Sequence, residues 1–254
     1  MPELPEVETI VRELAPRIIG RRIVSVEVLQ PRITRHSTED ITRVLPGRRI
    51  ENVRRHGKFI LIDLDEGALT IHLGMTGQLL FDTSPTPYTR VMFTLDDTLL
   101  LYDDTRMFGA IEFGSARVAK LGPDALTELA PEKLKRKAHI KAVLLNQSVF
   151  SGIGNIYADE ALFRAGIKPT ARNISRPRAK RLIQVIDEVL REAIDSRGSS
   201  VSDYVDTEGR RGSFQNRHRV YARENQPCVT CGTLIRKTVV AGRGTHYCPK
   251  CQIR

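Results

Sequence analysis

Four cysteines constrain this chain more than any other feature. They stand as Cys228-x2-Cys231 and Cys248-x2-Cys251, with 16 residues between the pairs and no other cysteine in the 254-residue sequence. A segment this short cannot enclose a hydrophobic core, so something besides packing must close it. The spacing suits two knuckles that each present two thiolates to one zinc ion. Two disulfides are the alternative, opposed by the reduced thiols of a cytoplasmic chain. A four-thiolate site is coordinatively closed, so one structural Zn2+ is expected, and His246 is surplus to its ligand set. Between the knuckles, Ala241-Gly242-Arg243-Gly244-Thr245 places an arginine between two glycines at a hairpin tip. It reads equally as an ordinary basic turn or as a close approach to phosphate.

The remainder divides by texture. Leu4, Val7, Ile10, Val11, Leu14 and Ile18 share one helical face, which Gly20 ends. From there to about residue 120 the runs are short and β-like. Val24, Val26 and Val28 alternate; Phe59-Ile60-Leu61-Ile62 and 68–73 flank an Asp65-Glu66-Gly67 turn, and Val91-Met92-Phe93 and Leu99-Leu100-Leu101 flank Asp96-Asp97. Gly122-Pro123 and Pro131 open a helical region with candidate helices near 133–147, 155–165 and 178–196, the last with Leu182, Val185, Ile186, Val189, Leu190 and Ala193 on one face. A polar loop from Gly198 to about Asn216 leads to the cysteine module. We therefore expect an α+β protein: a β-sandwich or barrel domain with an N-terminal helix over 1–122, a helical domain over 123–225 and a zinc module over 226–254.

Charge separates these halves. Residues 1–127 hold 16 Lys and Arg against 18 Asp and Glu, whereas 128–254 hold 24 against 12. The whole excess of the +10 chain thus lies in the second half, as a polyanion-gripping surface requires. Nucleic acid is favoured over membrane, since there is no Trp, no basic amphipathic helix and no run of about 18 apolar residues. No signal pattern opens the chain, so a cytoplasmic protein is expected.

The N-terminus is chemically unusual. Removal of Met1 makes Pro2 a free secondary amine, and an α-amino group with a pKa of about 8 is nucleophilic near neutrality. Glu3 and Glu6 supply carboxylates beside it for proton transfer. By residue type alone, Pro2 and Pro5 equally well just begin a helix.

The opening Pro2-Glu3-Leu4-Pro5-Glu6-Val7-Glu8-Thr9 resembles that of the formamidopyrimidine-DNA glycosylases. The family's His-Leu-Gly-Met-x-Gly is similar to 72–77 here, and its Asp-x-Arg-x-Phe-Gly to 104–109. Its Gly-x-Gly-Asn-Ile-Tyr-Ala-Asp-Glu is similar to 152–160, and its Arg-Gly-Thr-His-x-Cys-Pro-x-Cys to 243–251. The matches run in order along essentially the whole chain. The endonuclease VIII start, Pro-Glu-Gly-Pro-Glu, fits less well because Leu4 stands here.

The resemblance implies a helix–two-turn–helix element in the helical domain and a bifunctional glycosylase and abasic-site lyase. It implies oxidised purines as substrate in duplex DNA, taken by a monomer that also acts at abasic sites. Pro2 is implied as the amine attacking the sugar C1′ and Glu3 as the acid/base. Lys58 is implied to assist β-elimination, and Arg243 to grip phosphate and assist δ-elimination. Met75, Arg106 and Phe108 are implied to fill the space of the everted base, a task needing apolar and hydrogen-bonding groups together. Glu6, Tyr88, Lys137, Lys141 and Asn155 complete the implied DNA-facing set. Tyr88 stands where many members carry a histidine, and Met107 replaces a basic residue. The segment 130–141 is short, which moves the start of its helix late. Other readings are the same chemistry on oxidised pyrimidines, or a catalytically silent zinc-dependent DNA-binding protein, which would have no need of Pro2-Glu3.

Overall fold

The computed structural model describes residues 1–127, 129–201 and 204–253; Ser202 and Asp203 of the expected polar loop lie outside these. The chain forms two compact units, one from 1–120 with 196–213 and one from 121–195 with 214–254.

The first unit begins with α1 (Leu4–Ile18), β1 (Ile23–Val28), the single turn α2 (Ile41–Val44) and β2 (Ile50–His56). There follow β3 (Phe59–Leu64), β4 (Ala68–His72), β5 (Gly77–Phe81), β6 (Thr89–Leu95), β7 (Thr98–Asp104) and β8 (Ala110–Phe113). They make two antiparallel four-stranded sheets, β1-β6-β7-β5 and β2-β3-β4-β8, as expected of a sandwich. The expected helical face of α1 is buried, and Val7, Ile10, Val11, Leu14 and Ile18 join Ile60, Ile62, Val91 and Phe93 in one core. Strand β6 alternates strictly, with Thr89, Val91, Phe93 and Leu95 inside. Strand β1 departs from the expected alternation: a register shift between Ile23 and Ser25 leaves Val24 exposed and Val26 buried.

The second unit holds α3 (Ile140–Leu145), α4 (Asn155–Arg164), α5 (Arg176–Asp195) and the hairpin β9 (Arg236–Val240) with β10 (Arg243–Tyr247). Helix α5 buries Leu182, Val185, Ile186, Val189, Leu190 and Ala193, the stripe read from the sequence. The helix expected near 133–147 is much shorter. Pro131–Leu134 forms a 3₁₀ turn instead, and α3 begins only at Ile140. A helix over 133–139 would bury Leu134 alone while crowding Lys133, Lys135, Arg136 and Lys137, so no apolar face exists to hold it. Segment 196–213, mostly the polar loop expected within the 123–225 domain, groups with the first unit instead.

Candidate active site and zinc module

Pro2, Glu3 and Glu6 are all buried at the start of α1. Glu6 Oε2 accepts the Glu3 N–H at 2.8 Å and its Oε1 accepts the Ser199 N–H at 2.7 Å. Gly198, at φ +78°, lies so close that a Cβ there would sit 2.6 Å from Glu6 Oε1. Glu6 is therefore not a DNA-facing residue: both oxygens are committed to backbone amides, and its work is to fix the backbone at Glu3.

Lys58 lies in the two-residue turn between β2 and β3, after Gly57 at φ +59°. It is buried, and its neighbour Phe59 meets the His72 ring with centroids 4.7 Å apart. Burial, and then the positive charges of Arg117 and Lys58, push the His72 imidazole down to about 4. His72 Nδ1 accepts the Gly74 N–H at 3.1 Å, which suits a neutral ring.

Met75 lies on the loop from β4 to β5, and Arg106 and Phe108 lie on the loop from β7 to β8. Buried Asp104 knits the two loops together. Its carboxylate accepts from Thr76 Oγ1 at 2.5 Å, from the Gly109 N–H at 2.8 Å and from the Arg106 N–H at 3.3 Å. Gly74, at φ +62°, brings the loops so close that a Cβ would fall 2.5 Å from the Phe108 carbonyl carbon. The loops are thus fixed while their tips stay in solvent. Met75 is 39% and Phe108 49% exposed, too open for core residues, and the Arg106 guanidinium lies 5.7 Å from the Phe108 ring centroid. Tyr88 is also exposed, and its carbonyl accepts the Asp104 N–H at 3.0 Å.

In the second unit, Asn155 is the first residue of α4 and its Nδ2 donates to the Gly244 carbonyl at 3.0 Å. Lys137 is exposed beside Lys135 and Arg136. Lys141 is not: its side chain is fully buried, with Nζ 2.7 Å from Asp159 Oδ1 and 2.8 Å from Thr245 Oγ1. A lysine spent this way cannot neutralise a phosphate, so its implied DNA contact is corrected to an internal tie. Arg243 opens β10 beyond the turn Ala241-Gly242, whose φ values of 50° and 71° are those of a type I′ hairpin. Its side chain is exposed, on a hairpin tip as expected.

The four cysteines converge. Cys228 and Cys251 place their sulfurs 3.8 Å apart, Cys231 and Cys248 3.5 Å apart, and all four lie within 4.8 Å of one another without a disulfide. A tetrahedron with Zn–S bonds of about 2.3 Å has edges of about 3.8 Å, so the thiolates fit one zinc ion and no fifth ligand. The Thr230 and Cys251 N–H groups point at Cys228 and Cys248 sulfurs, at 3.4 and 3.3 Å. His246 is not among the converging ligands, and its backbone N–H donates to Asp159 Oδ2 at 2.8 Å.

Three family models match in series. The formamidopyrimidine-DNA glycosylase N-terminal domain covers residues 1–111, the formamidopyrimidine-DNA glycosylase H2TH domain 121–205, and the zinc finger found in FPG and IleRS 225–253. The chain belongs to the formamidopyrimidine-DNA glycosylase family. The formamidopyrimidine-DNA glycosylase of Solibacter usitatus is 49% identical, with the whole of both chains aligned. The crystal structure of the MutM (Fpg) protein from Thermus thermophilus is 42% identical with a TM-score of 0.89, over 99% of this chain and 98% of that one. A complex between the Lactococcus lactis Fpg and an abasic site containing DNA is 35% identical with a TM-score of 0.90, over 99% and 100%. As a formamidopyrimidine-DNA glycosylase, this chain is a DNA-repair enzyme of base excision, directed at oxidised purines and built with one structural zinc.

Two buried acids, one in each unit, tie neighbouring segments together in ways the sequence alone did not announce. Asp104 opens the 104–109 motif, but its role depends on partners from three loops. Glu160, beside Asp159, accepts the N–H groups of Arg219, Val220 and Tyr221 at 2.9–3.0 Å. Burial pushes its carboxyl up despite these bonds. The adjacent Asp-Glu in the 152–160 motif was the available signal, since two acids inside an apolar helix need partners.

Proposed function

We propose that Pro2 is the nucleophile with which this glycosylase removes 8-oxoguanine and ring-opened formamidopyrimidines from duplex DNA. The Pro2 nitrogen attacks C1′, the N-glycosylic bond breaks, and the base leaves with a proton. Glu3 protonates the sugar ring oxygen as the C1′–O4′ bond opens, leaving an iminium at C1′. Loss of a C2′ proton then breaks the C3′–O bond, with Lys58 beside the departing phosphate. Loss of a C4′ proton breaks the C5′–O bond, with Arg243 holding that phosphate. Water hydrolyses the iminium and frees Pro2. The zinc holds the module that carries Arg243 and takes no part in a step.

The observation that carries this reading is the Glu6 bond to the Glu3 N–H, which fixes the acid next to Pro2, a secondary amine once Met1 is removed, in a buried setting. The reading includes a cytoplasmic monomer acting on duplexes with oxidised bases or abasic sites; among the described residues no helix is long and apolar enough to cross a membrane. Borohydride added to enzyme and a lesion duplex should trap a covalent adduct at Pro2. Extra residues ahead of Pro2 should abolish it, because an amide nitrogen cannot form an iminium. An adduct that persists with a blocked terminus moves the role to a lysine.

A further inference from the structure

The turn that carries Lys58 is locked from one side by an arginine with no assigned task. The Arg55 side chain, on β2, is only 6% exposed. Its Nη1 donates to the Gly57 carbonyl at 3.0 Å and its Nε to Glu8 Oε2 at 2.9 Å. Glu8 stands on α1, the helix that begins at Pro2-Glu3, and its second oxygen accepts Arg12 Nε at 2.8 Å. Burial pushes the Glu8 carboxyl up, but hydrogen bonds from Arg55 and Arg12 outweigh it and hold the group below its usual range, ionised at neutral pH.

The carbonyl that Arg55 grips belongs to the peptide joining Gly57 to Lys58. This is the central peptide of the two-residue turn, and type I′ and II′ turns differ by the flip of that unit. Gly57 has a positive φ and Lys58 does not, the II′ pattern. A flip would carry Lys58 into the left-handed region and swing its side chain. Holding the central carbonyl removes that freedom, and tying the same guanidinium to α1 references the turn to the helix bearing the nucleophile.

We infer that Arg55, oriented by Glu8, is a positioning residue that sets Lys58 for the elimination steps. The inference rests on the role given to Lys58 above. Lysine cannot replace arginine here, because one ammonium cannot span both Glu8 and the Gly57 carbonyl in the fixed fork of a guanidinium.

The test uses the zinc-loaded full chain and a duplex with a preformed abasic site, following borohydride trapping and single-turnover nicking separately. Arg55→Lys and Glu8→Gln should each slow nicking on the order of ten- to a hundredfold, the scale of a misplacement near 1 Å, while the trapped fraction stays at the wild-type level. Lys58→Ala is the reference and should show the same split. Normal nicking by Arg55→Lys and Glu8→Gln beside slow Lys58→Ala overturns the positioning inference and leaves the Lys58 role standing. Normal nicking by Lys58→Ala overturns that role and the inference with it. Equal loss of trapping and nicking in both clamp variants also overturns the inference, since Arg55 would then support the fold rather than the turn.

Discussion

Lys141 Nζ lies 2.7 Å from Asp159 Oδ1, and neither side chain is exposed at all. The same ammonium reaches Thr245 Oγ1 and the Gly244 carbonyl at 3.2 Å, while the other Asp159 oxygen takes the His246 N–H. One buried pair thus fastens the β9–β10 hairpin, with Arg243 at its tip, onto α3 and α4. Against well-packed apolar side chains such a pair gains little, but a lone buried charge is costly.

Lys141→Met should therefore destabilise the protein by about 3–5 kcal/mol, and Lys141→Met with Asp159→Leu should recover most of that loss. Urea unfolding measures both. For the double variant, the slope of log affinity against log salt should equal the wild-type slope. A slope shallower by about 0.9 would return Lys141 to the DNA surface.

The zinc module has a consequence for α4. Phe163, from that helix, packs with Val220, Ile235, Cys228 and Cys248, and Gln252 Nε2 donates to the Ile167 carbonyl at 2.9 Å. Structural zinc contributes on the order of 10 kcal/mol to folding a small module. Cys248→Ser should lose the stoichiometric metal, weaken DNA binding and release amide-exchange protection at 163–167. Full zinc and full affinity in that variant would count against the site.

Much of this was legible where the physics is local. The stripes of α1 and α5 needed only a helical period, the zinc site only cysteine spacing, and the first half's β texture only short apolar runs between turns. What was hidden depends on distant partners. Lys141 reads as a surface cation until Thr245, 104 residues on, is found beside it. Glu6 looks like an active-site carboxylate until Ser199 claims it. The return of 196–213 to the first unit has no periodic signature, and the bulge in β1 shifts phase without any glycine or proline to announce it. The exposed tips at Met75 and Phe108 were singled out only through the resemblance, because Met and Phe types do not distinguish a solvent tip from a core.

His218 gives the fold an acid limit. Burial pushes its imidazole down to about 4, against about 6.5 in the unfolded chain. Above 6.5 neither state is protonated and the contribution to stability is complete. As pH falls from 6.5 toward 4, the unfolded chain takes up a proton that the folded one refuses, and stability drops. The ring lies 5.6 Å from Phe214 and 5.5 Å from Tyr221, a setting that accepts another aromatic. His218→Phe should flatten urea midpoints between pH 6.5 and 4.5. An unchanged pH slope would mean the ring is already protonated in the fold.

Met75, Arg106 and Phe108 allow base eversion to be separated from sugar chemistry. Their tips are exposed, while Asp104 fixes the loops beneath them, so truncation should leave the loops in place. Extruding a paired base costs a few kcal/mol of stacking and pairing, which inserted side chains must offset. Each 1.4 kcal/mol forfeited slows the step about tenfold. Changing all three to Ala should therefore cut single-turnover excision of a paired lesion by roughly a hundredfold or more, the equivalent of about 3 kcal/mol. A preformed abasic site has no base to unstack, so nicking there should fall far less. Pro2→Gly, by contrast, alters the attacking amine itself and should impair both substrates. Equal losses on the two duplexes for the triple variant would locate its defect in general DNA binding, and the wedge role of these three side chains would fall.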